Sequence, residues 1–337
     1  MCPWWAVKNL TINKKQGGGS TFGVITSITL KTYSSPKIVH LNMGLFGSPT
    51  DPGLADWVAY FVSKFPYFES KGISGYTAVG RGIPNALKPD GDPVSGVIAL
   101  LAMQDTDDES DILSVINPVV EEVKVKFPDA GIVFAPAVSK YESFLAWFQV
   151  FLDKNQPGVD VCHGGRLLSE KHLTADVGGL ANAITTAMDA VGVIGFFIVS
   201  GKGVREAEPR GGGSAVLPAW RKAIVHSGKL AVSQNSLTVH GELSVKYQVA
   251  SAYFEPLNKT AEEECIGRMA TLNSALTKLA PDSGAYMNEV YAARFPSPVK
   301  TGTRANKSKS RIPISSRTTN KSSGETITSG CSRLRRM

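Results

Sequence analysis

The sequence predicts an α+β fold, an antiparallel sheet with helices on one face. Three observations carry that expectation. Short apolar or alternating runs bounded by Gly, Pro and Ser recur along the chain, and several stand next to one another as hairpin partners do. Strands and helices come in segregated groups rather than in strict alternation. No internal repeat of fixed period is present, which excludes solenoids and propellers.

The elements follow in order. Gly17, Gly18 and Gly19 open a stretch alternating through Phe22, Val24, Ile25, Ile28 and Leu30, a glycine turn feeding a strand. Ser34, Ser35 and Pro36 end it, and KIVHLNMGLFG is the next strand. Asp51-Pro52 opens a helix whose Ala55, Val58, Ala59, Phe61 and Val62 share a face. GISGYTAVGRGI is a strand, and VSGVIALLAMQD, apolar throughout, is a central one. Asp107, Asp108, Glu109 and Ser110 cap a helix reaching about Phe127, and GIVFAPAVS returns as a strand. Residues 141–153 read as an amphipathic helix through Phe144, Trp147, Phe148 and Phe151. The next helix starts either at 169–173 or at 174–176 and runs to about Val191. GVIGFFIVSGK and the start of AIVHSGKLAVSQ are strands, and residues 262–279 form a helix through Cys265, Met269, Leu272 and Leu276.

Composition limits the function classes. The chain has 337 residues, 42% hydrophobic, which suffices for a sizeable core, and four Cys, too sparse for a disulfide scaffold. Its longest apolar stretch, residues 191–199, is about half a bilayer span. The opening MCPWWAVKNLTINKK places its charge after the apolar patch, so no secretory leader is expected and localisation stays open. Residues 294–337 hold eleven Lys or Arg against one acidic residue, Glu325. The remainder has 25 basic and 28 acidic side chains, so the net +7 belongs to the tail. A mildly acidic body predicts neither a nucleic-acid nor a membrane footprint. The Ser/Thr/Lys/Arg tail lacks any period and is expected to be disordered.

Few residues advertise chemistry. Cys2, Cys162, Cys265 and Cys331 share no metal spacing, and adjacent Cys162 and His163 suit one tetrahedral ion poorly, so no metal is expected. Cys162 and Cys265 read as small buried hydrophobes. The five His (His40, His163, His172, His226, His240) are scattered, with no HxH or HxxxH, and no catalytic residue is assigned. The carboxylates at 105–109 and 262–264 lie where helices begin, and the helix dipole explains them. Gly17, Gly18 and Gly19 followed by STFG match neither the dinucleotide fingerprint nor a Walker loop. They suit either a tight turn or a backbone approach to an anion such as a pyrophosphate. A second loop, Gly211, Gly212 and Gly213, leads to LPAWRKA, where Trp220 and Arg221 either cap a pocket or pack and pair. If Trp220 packs inside, Trp220→Ala is expected to cost about 3–5 kcal/mol.

WWAV with GGGSTFGVITSITLKTYSSP resembles the end of the FAD-binding (PCMH-type) domain in FAD-linked oxidoreductases of the berberine bridge enzyme-like group, within the vanillyl-alcohol oxidase superfamily. GISGYTAVGR, CHGGRLL, AVLPAWRKAIVH and SGAYMNEVY follow in the order of the fungal members' substrate-binding domain. The resemblance implies three parts: 1–35, a remnant of the FAD-binding domain; 36–291, the substrate-binding domain; and 292–337, the basic tail. It implies FAD as cofactor, contacted by Gly17, Gly18, Gly19, Phe22 and Gly23, and a small-molecule substrate. The implied reaction is oxidation of a C–H bond in an alcohol, sugar or secondary metabolite, with O2 reoxidising the flavin.

Departures from the family pattern qualify this. The upstream domain that carries the flavin-attaching His and Cys has no counterpart here, so no His or Cys of this chain inherits that role. NLTINKKQ interrupts the glycine passage, and the basic tail replaces the family's last flavin-contacting piece. The expectation is a piece of the oxidoreductase that holds FAD weakly alone and is inactive without the rest. The other readings are a non-catalytic binding domain whose basic tail meets an acidic partner, and an unrelated hydrolase.

Overall fold

Val, Ile, Ala and Leu crowd the stretch Val94–Gln104 without alternation, a pattern that needs cover on both faces. This stretch is β3, third from one edge of an antiparallel sheet. The computed structural model describes residues 32–48, 50–83, 92–151, 162–207, 216–228 and 258–286, all of which fall in one compact unit. Among the described residues the sheet has seven strands: β1 (Ile38–Gly47), β2 (Ile73–Ile83), β3, β4 (Val133–Tyr141), β5 (Gly165–Ser169), β6 (Val193–Phe197) and β7 (Ala223–Gly228). Their order is β4-β1-β3-β2-β6-β7-β5, and every pairing is antiparallel.

Strand alternation divides the sheet into two faces. On β1, Val39, Leu41, Met43 and Leu45 enter the core, while His40 and Asn42 point the other way. Six helices supply that core from one side: α1 (Leu54–Val62), α2 (Phe65–Ser70), α3 (Glu109–Lys126), α5 (Glu170–Thr174), α6 (Val177–Val191) and α8 (Lys259–Leu279). Phe61, Phe65 and Phe68 meet one another at 5.7 Å in the middle of it. Each such fully buried aromatic contributes about 1.5–3 kcal/mol by leaving water. α4 (Phe144–Phe151) and α7 (Lys202–Arg205) bury no residue in this core. The one-sided helix layer read from the sequence is therefore present, with two short helices outside it.

Local chemistry sets the boundaries. Asp51 does not cap α1 itself. Its carboxylate accepts from the Gly53 N–H at 2.8 Å and from the buried Trp57 indole at 2.9 Å, and α1 begins at Leu54. Asp108 caps α3, accepting from Ser110 N–H at 2.8 Å. Both alternatives for the helix near 170 are used: Ser169 caps α5, and Asp176 caps α6 through Gly179 N–H at 2.8 Å. α8 starts at Lys259, three residues ahead of the expected Glu262, because Asn258 accepts from Ala261 N–H at 3.1 Å. Cys265, Met269, Leu272 and Leu276 line its buried stripe, and Cys162 is buried in the same core. β5 is an addition to the sequence reading. It is five residues long and, among the described residues, its strand partner is β7. The glycine turn and strand at 17–30, the Gly211–Gly213 loop and the tail from 292 onward lie outside the described residues.

Two glycines permit the central pairing. Gly75 on β2 has φ +148, and a Cβ there would stand 2.0 Å from the Leu100 carbonyl oxygen; Gly96 on β3 has φ +150, with 2.1 Å to the Leu45 carbonyl oxygen. Backbone sheet atoms cannot step aside as a flexible side chain does. Gly75→Ala and Gly96→Ala are each expected to destabilise the fold by about 2–4 kcal/mol. A shift below about 1 kcal/mol in urea unfolding at either position would contradict this account.

Candidate functional site

The face of the sheet turned away from the helices carries the polar and aromatic groups. At one end, His40 on β1 lies beneath α4. The Trp147 indole N–H donates to His40 Nδ1 at 3.1 Å, and the Phe151 ring lies 3.9 Å from the imidazole, tilted by 31°. α4 is fixed at its start, where Ser35 Oγ accepts from Phe144 N–H at 2.8 Å and Ser143 Oγ from Ala146 N–H at 3.1 Å. Its spacing was read as amphipathic, yet Phe144, Leu145, Phe148 and Val150 are all exposed, Leu145 by 60%.

The second cluster surrounds His226 on β7. Phe197, Trp220 and Tyr286 stand 5.9, 6.0 and 5.8 Å from its ring, and Tyr76 continues the row at 5.2 Å from Phe197. Trp220 and His226 belong to AVLPAWRKAIVH and Tyr286 to SGAYMNEVY, so two separate sequence motifs converge here. Trp220 packs: it is half-buried, against His226 and Tyr286. Arg221 donates to the Val204 carbonyl at 2.6 Å. Trp220→Ala is expected to cost less than the about 3–5 kcal/mol that a fully buried Trp would lose, because part of the residue already meets water, and urea unfolding measures the difference.

A cleft of about 1150 Å3 lies on this face. His40, Ser74, Tyr76, Leu100 and Ala102 form its floor, Trp147 and Phe151 one wall, and the 69–72 turn with Ile198, Val199 and α7 the other. The Glu69 carboxylate receives the Arg205 guanidinium at 2.8 Å on both oxygens. Arg205 also donates to the Ser200 carbonyl at 3.1 Å, and the Ser200 hydroxyl to the Trp220 carbonyl at 3.0 Å. One chain of contacts thus ties α2, α7 and the Trp220 turn together. A groove of about 1010 Å3 between α6 and α8, on the helix side, is a weaker candidate. Its imidazole, His172, is held between Ser169 and Asp282, accepting from Ser169 N–H at 3.0 Å with Asp282 at 2.7 Å from Nε2.

Both histidines of the open face are held neutral. Burial pushes His40 down to about 4, against a smaller opposing pull from Asn42. Burial also pushes His226 down to about 4, and repulsion from His163 adds to it. At neutral pH each imidazole is a hydrogen-bonding group and a poor general base. The sequence reading found no pattern among the histidines because the sheet register, and not local spacing, puts His40 and His226 on one face. Gly17, Gly18, Gly19, Phe22 and Gly23 lie outside the described residues. Among the described residues no cluster of three metal-ligating side chains occurs, and no helix is long and apolar enough to cross a membrane.

No protein-family model matches the chain. It is 28% identical over 301 residues to an uncharacterised FAD-linked oxidoreductase of Arthroderma benhamiae, covering 85% of this chain and 44% of that relative. It is 26% identical over 291 residues to the FAD-linked oxidoreductase apf9 of Gibberella fujikuroi, covering 81% of this chain and 44% of the relative. The chain is thus similar in sequence to two fungal proteins named FAD-linked oxidoreductases. Its fold is that of VAO-type flavoproteins. A crystal structure of one such flavoprotein from Myceliophthora thermophila C1 superposes with a TM-score of 0.58 at 19% identity, covering 76% of this chain and 41% of that one. A second from the same organism gives 0.51 at 18% identity, covering 81% and 44%. The chain therefore spans less than half the length of these FAD-linked oxidoreductases and flavoproteins.

The neutral histidines make stability depend on pH. Between about pH 4 and 6.5 the unfolded chain binds protons at His40 and His226 that the folded chain does not, so stability rises with pH across that window. The contribution is complete above about pH 6.5 and is lost as pH falls towards 4. It amounts to at most about 3 kcal/mol per histidine. Urea unfolding at steps from pH 4.5 to 7.5 is expected to show this slope, and a flat profile would contradict burial of both rings in neutral form.

Proposed function

We propose that this chain forms the substrate-facing wall of an FAD-linked oxidoreductase that oxidises a C–H bond in an alcohol, sugar or secondary metabolite. The observation that carries the reading is the open sheet face, where a cleft lined by Tyr76, Trp147 and Phe151 stands over neutral His40. Relatedness to FAD-linked oxidoreductases supports the cofactor class. The motifs GISGYTAVGR, LPAWR and SGAY support a berberine bridge enzyme-like assignment.

The described residues fit one side of such a site. A rigid floor of paired strands with aromatic walls holds a flat substrate and excludes water, and neutral imidazoles orient it without adding charge. FAD, when bound, supplies the hydride acceptor and is reoxidised by O2. That chemistry requires the substrate carbon to be held at van der Waals distance, so positioning is the task left to the protein. The glycines that line the described cleft, Gly72, Gly75, Gly201 and Gly203, do not form a run of successive glycines. We assign the pyrophosphate contact to Gly17, Gly18, Gly19, Phe22 and Gly23, whose backbone N–H groups can approach an anion closely.

The test has two arms. The purified chain is incubated with FAD and desalted, and the retained flavin is read by its visible absorbance. In parallel, residues 32–286 replace the matching region of the Arthroderma benhamiae relative. The chimera is expected to hold flavin and to bleach anaerobically with a member of an alcohol and sugar panel. A chimera that folds and holds flavin, yet is bleached by no compound that bleaches the parent or by any other in the panel, would overturn the reading.

A further inference from the structure

Trp147 can only donate through its indole nitrogen, so the bond to His40 Nδ1 makes that atom the acceptor. In the neutral ring the proton then sits on Nε2. His40 is 2% exposed and lines the cleft, and its Nε2 has no hydrogen-bond partner. A buried N–H left without an acceptor is costly, and the cost disappears when an acceptor arrives. The immediate neighbours are all uncharged: Asn42 two residues along β1, whose Oδ1 likewise lacks a hydrogen-bond partner, Ala102 and Ser139 across the two strand pairs, Trp147 and Phe151.

We propose that the cleft binds a flat, uncharged ring compound through a carbonyl or ether oxygen that accepts from His40 Nε2–H in the plane of the imidazole, with Phe151 moving aside to admit it. The proposal rests on the cleft being the substrate wall and narrows the substrate class to planar oxygen-bearing rings. Phe151 is well placed to yield. It sits at the far end of α4, a helix with no residue in the core and with its bonded anchors, Ser35 and Ser143, at the opposite end. The cleft volume of about 1150 Å3 leaves room for a fused-ring ligand.

The experiment uses the full chain without flavin, so that it reads binding separately from oxidation. Coumarin, with a ring carbonyl, and naphthalene, of similar size without one, are titrated by calorimetry. Coumarin is expected to bind about five- to tenfold more tightly, the difference one neutral hydrogen bond makes. His40→Phe is expected to lower coumarin affinity to the naphthalene level and to leave naphthalene unchanged. Because that variant alters a buried site, the wild-type chain is also examined by 15N NMR of its histidines, where coumarin and not naphthalene is expected to shift His40 Nε2. Equal affinities for the two probes, or coumarin binding with no shift at His40 Nε2, would overturn the proposal. A non-bleaching chimera with an intact coumarin contrast would remove the oxidoreductase reading and leave this one standing.

Discussion

A sheet covered by helices on one side only must settle the fate of its other side. Because strand side chains alternate, each core residue on β1 fixes the direction of its neighbours. Val39 and Leu41 turned to α1 and α3 oblige His40 and Asn42 to face away from the helices. The same holds on β7, where Val225 enters the core and His226 does not. A slip of one residue in either strand would exchange a valine or leucine for an imidazole in the apolar layer. The register that serves the core is therefore the register that builds the site.

That arrangement carries an energetic tension at its two histidines. An apolar residue at position 40 would pack beneath Phe151 with no polar atom to satisfy, whereas the imidazole has one nitrogen bonded to Trp147 and the other unmatched. Burying a polar atom without a partner is unfavourable. Local rules are broken in this way mainly where a surface is built to meet something else. His226 is ringed by three aromatics and held neutral by the same desolvation. The face presents two uncharged hydrogen-bonding rings in an aromatic setting, while Glu69, Lys71, Asp105, Asp111, Lys202 and Arg205 place charge elsewhere along the cleft.

Much of the fold was legible because long elements carry their own period. The run at 94–104, the caps at Asp108 and the stripe through Cys265, Met269, Leu272 and Leu276 all state their structure locally. β5 did not, since five residues starting at a glycine hold too few alternations to register, and its strand partner among the described residues lies some sixty residues away. α4 misled in a different manner. Phe144, Trp147, Phe148 and Phe151 have helical spacing, but spacing does not say whether the stripe meets a core or a cleft. The site was the least legible part. His40 and His226 share a face through strand order alone, and the Trp147 bond to His40 joins residues 107 apart. The signal came from motif order: GISGYTAVGR holds Tyr76, AVLPAWRKAIVH holds Trp220 and His226, and SGAYMNEVY holds Tyr286.

Floor and walls of the cleft are held by different forces, and this difference shapes what the site can do. The floor is continuous with a close-packed core, so Tyr76, Leu100 and His40 keep their backbone positions. The walls are attached by polar tethers: Ser35 and Ser143 on the α4 side, Glu69 with Arg205 and Ser200 on the other. Elements with few buried apolar contacts open at low free energy, whereas core strands open only with the whole domain. A ligand can thus move α4 or α7 without disturbing the strand register that aims His40 and His226. Chemistry that depends on placing one carbon within van der Waals reach of a cofactor needs a fixed floor. Admitting a bulky ring past Phe151 needs a wall that yields, and the two requirements are met here by separate parts of the fold.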